Sequence, residues 1–269
     1  MEKGLKIFSY LPNPRVWKAE IAAKIAGIPV EVIGDKPAEI PNWLWDTKPK
    51  KLSDEDKKKL KKFERVGKRG FSSALYKTDD FIKLIPFGTV PAAFSPDGKI
   101  GIFESNSILR AIARQDDTNN LYGKDSFEAS RVDSFLDSGL VFSREHQEYL
   151  FGLEDMNDAL YQRMKSAYEF FLNGIEESLK HTKYIGFNHL TIVDISFFCD
   201  FSQFLREGHY VDDLKEKGFA LVSENFDTEY PKTYSHLIKL SKIDEFSTVI
   251  GTYLDLSLIH ISEPTRPLR

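Results

Sequence analysis

The amino-acid sequence predicts an α/β domain in its first half and an all-helical domain in its second half. Short apolar runs alternate with runs of helical periodicity up to about residue 116, which is typical of a sheet flanked by helices. Beyond residue 121 the strand-like runs fade, and helical periodicity continues to about residue 250. With 269 residues, the chain is long enough for two domains of ordinary size. We therefore place an α/β domain at 1–116 and an all-α domain at 121–250.

The first elements follow a β-α-β pattern. Residues 5–10 are a short, mostly apolar run that residues 11–14, with two prolines, interrupt, as expected for a buried strand before a tight loop. Residues 16–25 have helical spacing and end before Gly27, and residues 29–33 are a second strand. Two strands joined by one helix predict a right-handed parallel pair.

The later elements of the first half complete a thioredoxin-like order. The sequence predicts a short helix at 79–84, a third strand at 92–95 and, after a turn at 96–99, a returning strand at 100–103. A helix follows from Glu104, so the order is β-α-β-insertion-α-β-β-α. In the second half, helical segments are predicted near 125–151, 156–181, 191–207, 211–224 and 230–247.

A basic insertion interrupts this order at about 36–78. It is rich in Pro, Lys and Asp, and Trp43 and Trp45 lie in its first part. One interpretation is a solvated surface segment with a short charged helix at 53–63, begun by the capping pattern Ser53-Asp54-Glu55-Asp56. The alternative is a lid over a pocket, with the two indoles as its apolar face.

Two short motifs carry candidate chemistry. Val90-Pro91 precedes the third strand, where a cis peptide bond would turn the Val90 N–H and C=O towards an extended peptide ligand. The alternative is a proline that only begins a strand. At Glu104-Ser105 a strand ends and a helix begins, so Ser105 is either a plain N-cap or part of an anion site at a helix N-terminus. With Glu104 accepting from an ammonium group, that site suits an amino-acid zwitterion.

These motifs resemble the glutathione-binding signature of glutathione transferases. The resemblance rests on Val90-Pro91 and on the block Phe103-Glu104-Ser105-Asn106-Ser107-Ile108, and it covers nearly the whole chain. Residues 15–23, 87–91 and 103–106 are most similar to the transferase-like domain of translation elongation factor 1 gamma. Residues 190–195 are similar to the family's N-capping box and hydrophobic staple, in which Thr191 caps a helix and Asp194 reaches back to the Thr191 N–H.

The resemblance implies the glutathione transferase fold and a glutathione site in the first domain. Val90, held by Pro91, would pair with the cysteinyl backbone of glutathione, and Glu104 and Ser105 would hold its γ-glutamyl end. Catalysis in such enzymes stabilises the glutathione thiolate by a hydrogen bond from a hydroxyl near the end of the first strand. Activation of that thiol is therefore the chemistry that the resemblance implies.

Tyr10 and Ser9 are the candidate catalytic hydroxyls, and Asn13 is a weaker donor. Because successive strand residues point to opposite faces, at most one of the first two is expected to serve, and we favour Tyr10. The alternative role for Tyr10 is an aromatic ring packed over the first helix. Some family branches have serine or cysteine a little later in this loop, where this sequence has Leu11 and Pro12.

The remaining polar and sulfur-bearing residues are secondary candidates. Lys68, Arg69 and Lys77 are candidates to meet the glycyl carboxylate of glutathione. Residues 144–146, Arg-Glu-His, either line a second-substrate pocket or form a solvated helix face. Cys199 is interpreted as a core thiol. The histidines lack ligand spacing and a lone cysteine forms no Cys-based zinc site, so we expect no metal.

Composition narrows the class of protein further. The chain is 41% hydrophobic and 29% charged, with a net charge of −4, which is typical of a soluble globule and not of a nucleic-acid-binding chain. Neither a signal-peptide pattern nor a membrane-spanning apolar run is apparent, so we expect a cytoplasmic protein without a membrane partner. Residues 255–269 do not continue the preceding pattern and are interpreted as a non-native or disordered tail.

Three functions remain open at this point. The favoured one is a glutathione transferase that activates the glutathione thiol for attack on a small hydrophobic electrophile, as in detoxification, and the resemblance implies a homodimer. The second is a non-catalytic binding or scaffold module related to elongation factor 1 gamma, which the missing loop serine favours. The third is a glutathione-dependent lyase or reductase. The absence of a following elongation-factor domain favours the enzyme.

Overall fold

The computed structural model describes residues 3–67, 71 and 73–254, and these form two compact units that divide between Asn119 and Asn120. The tail predicted at 255–269 lies outside the described residues. The fold class predicted from the sequence is confirmed, because unit 1 is an α/β domain and unit 2 is helical.

The main sheet of unit 1 has four strands in the order β2-β1-β7-β8. Strands β1 and β2 are parallel, as predicted, whereas β7 runs antiparallel to both β1 and β8. The elements of this layer are β1 (Leu5–Tyr10), α1 (Pro14–Ala26), β2 (Val30–Asp35), α3 (Asp79–Leu84), β7 (Ala92–Phe94), β8 (Gly101–Phe103) and α4 (Ser105–Ala113).

Helix α1 has clear sequence signals at both ends. The Asn13 side chain accepts from the Arg15 N–H, and Pro14 stands at the first helical position, where its missing N–H is not needed. Gly27 ends the helix with a φ of 65° and bonds back to the last turn. The helix buries Trp17, Ala19 and Ile21.

The insertion forms a second four-stranded sheet rather than a solvated segment. Its order is β4-β3-β6-β5, with β3 and β6 parallel. The elements are β3 (Trp43–Trp45), β4 (Lys50–Lys51), α2 (Asp54–Lys59), β5 (Glu64–Val66) and β6 (Ala74–Lys77). The predicted capping box is confirmed at Ser53 and Asp56, although the α-helix ends at Lys59 and a short 3₁₀ segment follows.

Trp45 shows that the insertion is more than a solvated surface segment, although its short helix α2 buries no residue. The Trp45 side chain is 1% exposed and lies edge-on to the rings of Phe8, Phe71 and Phe81. Trp43 is half-buried, and its indole N–H donates to Asp35 at 3.3 Å. Burial of Trp45 removes a large apolar area from water, so the insertion is a part of the core of unit 1.

Unit 2 contains seven α-helices among its described residues. These are α5 (Ser126–Phe151), α6 (Asp158–His181), α7 (Ile192–Phe204), α8 (Val211–Glu216), α9 (Phe226–Glu229), α10 (Pro231–Ser241) and α11 (Asp244–Ile250). Helix α8 is shorter than the predicted 211–224, because the chain turns at Gly218 with a φ of 81°. Within the described residues, no helix combines the length and the apolar composition that crossing a membrane requires.

Helix α7 is the centre of unit 2. Nearly all of its residues are buried, and Phe197, Phe201 and Phe204 pack against aromatic rings from α5 and α6. Its predicted capping box is confirmed: Thr191 accepts from Val193, and Asp194 accepts from the Thr191 N–H at 2.9 Å. Cys199 is fully buried in this helix, which confirms a core thiol.

His146 corrects the interpretation of residues 144–146 as a solvated helix face. Its ring is 0% exposed, 5.2 Å from the ring of Phe142, and 3.4 Å from the side-chain oxygen of Gln203. Arg144 is exposed, and Glu145 pairs with Arg163 at 2.8 Å. Only the two charged residues of the triplet therefore reach solvent.

Candidate functional site

The candidate glutathione site of unit 1 begins where the chain enters β7. The Val90–Pro91 peptide bond is cis, which confirms the sequence prediction. Val90 is half-buried and packs against the cluster that contains Phe8 and Trp45. Ala92 then begins the ladder with β1 and β8, so Val90 and Pro91 lie just beyond the paired part of the strand.

Glu104 has an unusual backbone at the junction of β8 and α4. Its φ is 67°, a region that residues with a side chain rarely adopt, and its ψ is 125°. The carboxylate is exposed and, within the described residues, makes no hydrogen bond or ion pair. Strained, non-glycine backbone of this kind is concentrated at functional sites. The Glu104 backbone therefore places an exposed, unpaired carboxylate at the end of a strand.

Ser105 is the first residue of α4 rather than its N-cap, which corrects the simpler prediction. The N-cap position is taken by Glu104, whose carbonyl accepts from the N–H groups of Ser107 and Ile108, and no side chain caps the helix. The first N–H groups of a helix have no intrahelical partner and carry positive potential. The Ser105 hydroxyl thus lies beside a helix end that favours an anion.

A buried lysine of α1 contacts the first turn of α4. Lys18 of α1 is 1% exposed, and its ammonium lies 3.0 Å from the Oδ1 atom of Asn106. The sequence prediction missed this pair. A usable signal was present, because Lys18 shares a helical stripe with the buried Ala22 four residues on.

Tyr10 ends β1 and is half-buried. Its ring lies 6.3 Å from that of Phe71 and packs against the same cluster as Val90. Burial raises the pKa of the Tyr10 hydroxyl, and the positive charge of Arg15 counters this only in part. Within the described residues the hydroxyl makes no hydrogen bond. It therefore remains protonated at neutral pH and can donate.

Ser9 lies on the face of β1 opposite to Tyr10, and Asn13 follows the strand as the N-cap of α1. Both are 0% exposed, and the Asn13 amide donates to the Ser9 hydroxyl at 3.0 Å. Asn13 also caps α1 through its side-chain oxygen. These groups are engaged in holding the first strand to the first helix, so they offer no donor to a ligand in solvent.

Lys77 contacts the protein itself. Its ammonium donates to the carbonyl oxygen of Gly88 at 2.7 Å and lies 4.5 Å from the ring centroid of Trp45. Lys68 and Arg69, the other candidates for the glycyl carboxylate, lie outside the described residues. The described residues also bring together no group of three or more histidine, cysteine or acidic side chains that could hold a metal ion.

Solved structures define the class of fold to which this arrangement belongs. A glutathione S-transferase from Methylobacillus flagellatus with glutathione bound matches with a TM-score of 0.60 at 14% identity, covering 91% of this chain and 98% of that one. A glutathione transferase from Phanerochaete chrysosporium in complex with oxidized glutathione matches with a TM-score of 0.61 at 17% identity, covering 93% and 96%. The chain therefore has the glutathione transferase fold.

The curated sequence relatives described here carry the name elongation factor 1-gamma. Elongation factor 1-gamma 1 of Oryza sativa subsp. japonica is 25% identical over 180 residues, which is 65% of this chain and 39% of that protein. Probable elongation factor 1-gamma 1 of Arabidopsis thaliana is 22% identical over 253 residues, which is 92% of this chain and 49% of that protein. The chain thus spans less than half the length of the curated relatives it matches. No family model matches the sequence.

Proposed function

We propose that the chain is a glutathione transferase that binds glutathione on unit 1 and activates its thiol for attack on a small hydrophobic electrophile. The observation that carries the proposal is the pair Glu104 and Ser105. An unpaired carboxylate on a backbone with a φ of 67° stands beside an uncapped helix N-terminus. Together they offer one group for an ammonium and one for a carboxylate, which is what the γ-glutamyl end of glutathione presents.

The other parts of the site have complementary roles in this proposal. The main chain of Val90 pairs with the cysteinyl backbone of glutathione, as an extended peptide pairs with an exposed strand edge. The protonated hydroxyl of Tyr10 donates to the thiolate and lowers the free energy of its charged form. Ser9 has no such role, because its hydroxyl is buried against Asn13.

The sequence relatives favour a second candidate function. Both relatives described above are named elongation factor 1-gamma, a name that denotes a translation factor rather than a transferase. The alternative is therefore a non-catalytic binding or scaffold module that retains the pocket. A glutathione-dependent lyase or reductase would use the same glutathione site and is distinguished only by its product.

Calorimetry with reduced glutathione tests the proposal. The parent is expected to bind, and the double variant Glu104→Gln, Ser105→Ala is expected to lose at least about tenfold in affinity, because two charge-assisted contacts are removed. Ser107→Ala, a serine two residues further along α4, is the matched control. The dipeptide cysteinylglycine, which lacks the γ-glutamyl end, should bind the parent and the double variant equally weakly.

A conjugation assay with an aryl halide then separates the candidate functions. Turnover by the parent supports the transferase, whereas glutathione binding without turnover supports the module. If the parent binds no glutathione at millimolar concentration, the glutathione site itself is wrong. Release or reduction of a glutathione adduct in place of conjugation would identify the lyase or reductase.

We also propose that the protein is a homodimer. Each unit exposes an apolar feature: Phe87 is 73% exposed on unit 1, and Phe170 is 69% exposed on unit 2. Phe170 borders a groove of about 460 Å³ between α5 and α6, which Val141 and Ala167 also line. Exposed aromatic rings and apolar grooves of this kind mark interaction surfaces.

A further inference from the structure

Lys77 joins the inserted sheet to the loop that precedes the candidate glutathione site. It is the last residue of β6, which pairs with β3 at Trp45. Its ammonium lies 4.5 Å above the ring of Trp45 and donates to the Gly88 carbonyl at 2.7 Å. One cation is therefore fixed between a buried indole of the insertion and a main-chain oxygen of the loop.

The loop is shaped closely around this contact. Gly88 is buried and has a φ of 59°, and its N–H donates to the Ile85 carbonyl at 2.8 Å. A Cβ atom at this position would lie 3.2 Å from the Lys77 ammonium nitrogen and 3.2 Å from the Cδ1 atom of Ile82. The positive φ and these close contacts favour glycine at this position.

The Gly88 carbonyl depends on Lys77 for its partner. Among the described residues, the Lys77 ammonium is the one donor to this oxygen. A buried carbonyl left without a partner is unfavourable by about 1–3 kcal/mol. Loss of the ammonium would therefore favour loop conformations in which Gly88 turns towards water.

The Lys77 ammonium occupies a position that is unfavourable for a positive charge. Burial lowers the pKa of the Lys77 ammonium, and the nearby positive charge of Arg65 lowers it further. Within the described ranges no carboxylate forms an ion pair with Lys77. The charge is balanced by an indole face and a carbonyl dipole, both of which hold it at one place.

We propose that Lys77 is a positioning residue for glutathione: it clamps Gly88 and so fixes the main chain of Val90, two residues further on, in the orientation that receives the ligand. This inference rests on the proposed glutathione site. In this inference Lys77 acts through Gly88 and not by a direct contact with the glycyl carboxylate of glutathione. The inserted sheet, which carries Lys77, would then help to orient the glutathione site.

If the Lys77 ammonium clamps Gly88, its removal should reduce the fraction of molecules whose loop is in the conformation that binds glutathione. In Lys77→Met the flexible apolar side chain still covers Trp45 but donates nothing to Gly88. If the competent fraction falls to about a tenth, the apparent Kd for glutathione rises about tenfold while kcat is unchanged. Lys77→Arg keeps a cationic donor and should restore most of the affinity. Lys83→Met, which removes an exposed lysine from α3, is the matched control.

Hydrogen exchange and calorimetry on the full chain test the two parts of the inference separately. Exchange of the Gly88 amide in Lys77→Met should be about tenfold faster than in the parent and in Lys83→Met, with the amides of β1 unchanged. The glutathione Kd should rise for Lys77→Met alone.

Each result bears on the inference. Faster Gly88 exchange with an unchanged Kd overturns it, because the clamp would then serve stability only. Unchanged exchange also overturns it. If the parent binds no glutathione, the proposed function fails, and so does the role of Lys77 in binding. Faster Gly88 exchange in Lys77→Met would then still establish the clamp as a feature of the loop.

Discussion

The ammonium of Lys18 lies 3.0 Å from the Oδ1 atom of Asn106, and this contact joins the middle of α1 to the first turn of α4 inside unit 1. Both side chains are buried, at 1% and 8% exposure. Because a buried amide loses a charged donor, Lys18→Met should lower the free energy of unfolding by about 1–3 kcal/mol. Lys24→Met, an exposed position on the same helix, should change it by less than about 0.5 kcal/mol. Urea unfolding followed by circular dichroism measures both, and equal losses would contradict a special role for Lys18.

Tyr10→Phe tests the thiolate donor. The phenyl ring preserves the packing against Phe71, while the donating hydroxyl is lost. We expect kcat for conjugation to fall by about tenfold to a hundredfold, because stabilisation of the developing charge is removed. The pKa of bound glutathione, read from the pH dependence of kcat/KM for the electrophile at saturating glutathione, should rise. Tyr76→Phe in the inserted sheet is the matched control. An unchanged kcat would mean that another donor activates the thiol.

Replacement of Glu104 by glycine should have opposite effects on stability and on glutathione binding. Because its φ of 67° is unfavourable for a residue with a side chain, Glu104→Gly should raise the free energy of unfolding by about 0.5–1 kcal/mol. The same change should weaken glutathione binding, since the carboxylate is lost. Asn120→Gly, at a φ of 55°, relieves a comparable backbone position outside the site and should leave binding unchanged. Unfolding and calorimetry on the same samples decide this, and a Glu104→Gly variant that binds normally would refute the assignment.

If the protein is a homodimer, the exposed rings of Phe87 and Phe170 should be covered by the partner subunit in solution. Phe87→Ser and Phe170→Ser should each shift the protein towards monomer, because each removes a large exposed apolar group. Ile100→Ser, at an exposed position in the hairpin after β7, is the control. Analytical ultracentrifugation across a concentration series measures the change. A parent that sediments as a monomer at all concentrations would exclude the dimer.

The element order and the candidate site could both be predicted from the sequence, but from different features of it. Residues 5–10 and 92–94 follow local patterns, and Val90-Pro91 and Glu104-Ser105 form a recognisable motif. The insertion was misjudged because its sheet depends on non-local pairing, as between Leu44 and Tyr76, which charge and proline content conceal. The contact of Lys77 with Gly88 links positions eleven residues apart through tertiary structure. Periodicity carries no information about such contacts.

Glu207 of unit 2 should give the protein a measurable dependence of stability on pH. Its carboxylate is 0% exposed and accepts from the Tyr149 hydroxyl at 2.8 Å and from the N–H and hydroxyl of Ser223 at 2.8 and 2.6 Å. Burial raises the pKa of this carboxyl despite those donors. The folded state therefore keeps the proton to a higher pH than the unfolded state, whose carboxyl has a pKa of about 4.3.

The sign of the effect follows from proton linkage. Where the folded state binds more protons than the unfolded state, the free energy of unfolding falls as pH rises. The difference in unfolding free energy between the parent and Glu207→Gln should therefore be largest below about pH 4 and should decrease as pH rises through the raised pKa of Glu207. Carboxylates with lowered pKa values, such as Asp97 and Glu177, titrate in both proteins and cancel in that difference. Urea unfolding at a series of pH values measures it, with the exposed Glu224→Gln as control. A difference that stays constant or grows with pH would show that the hydrogen bonds outweigh burial at this carboxyl.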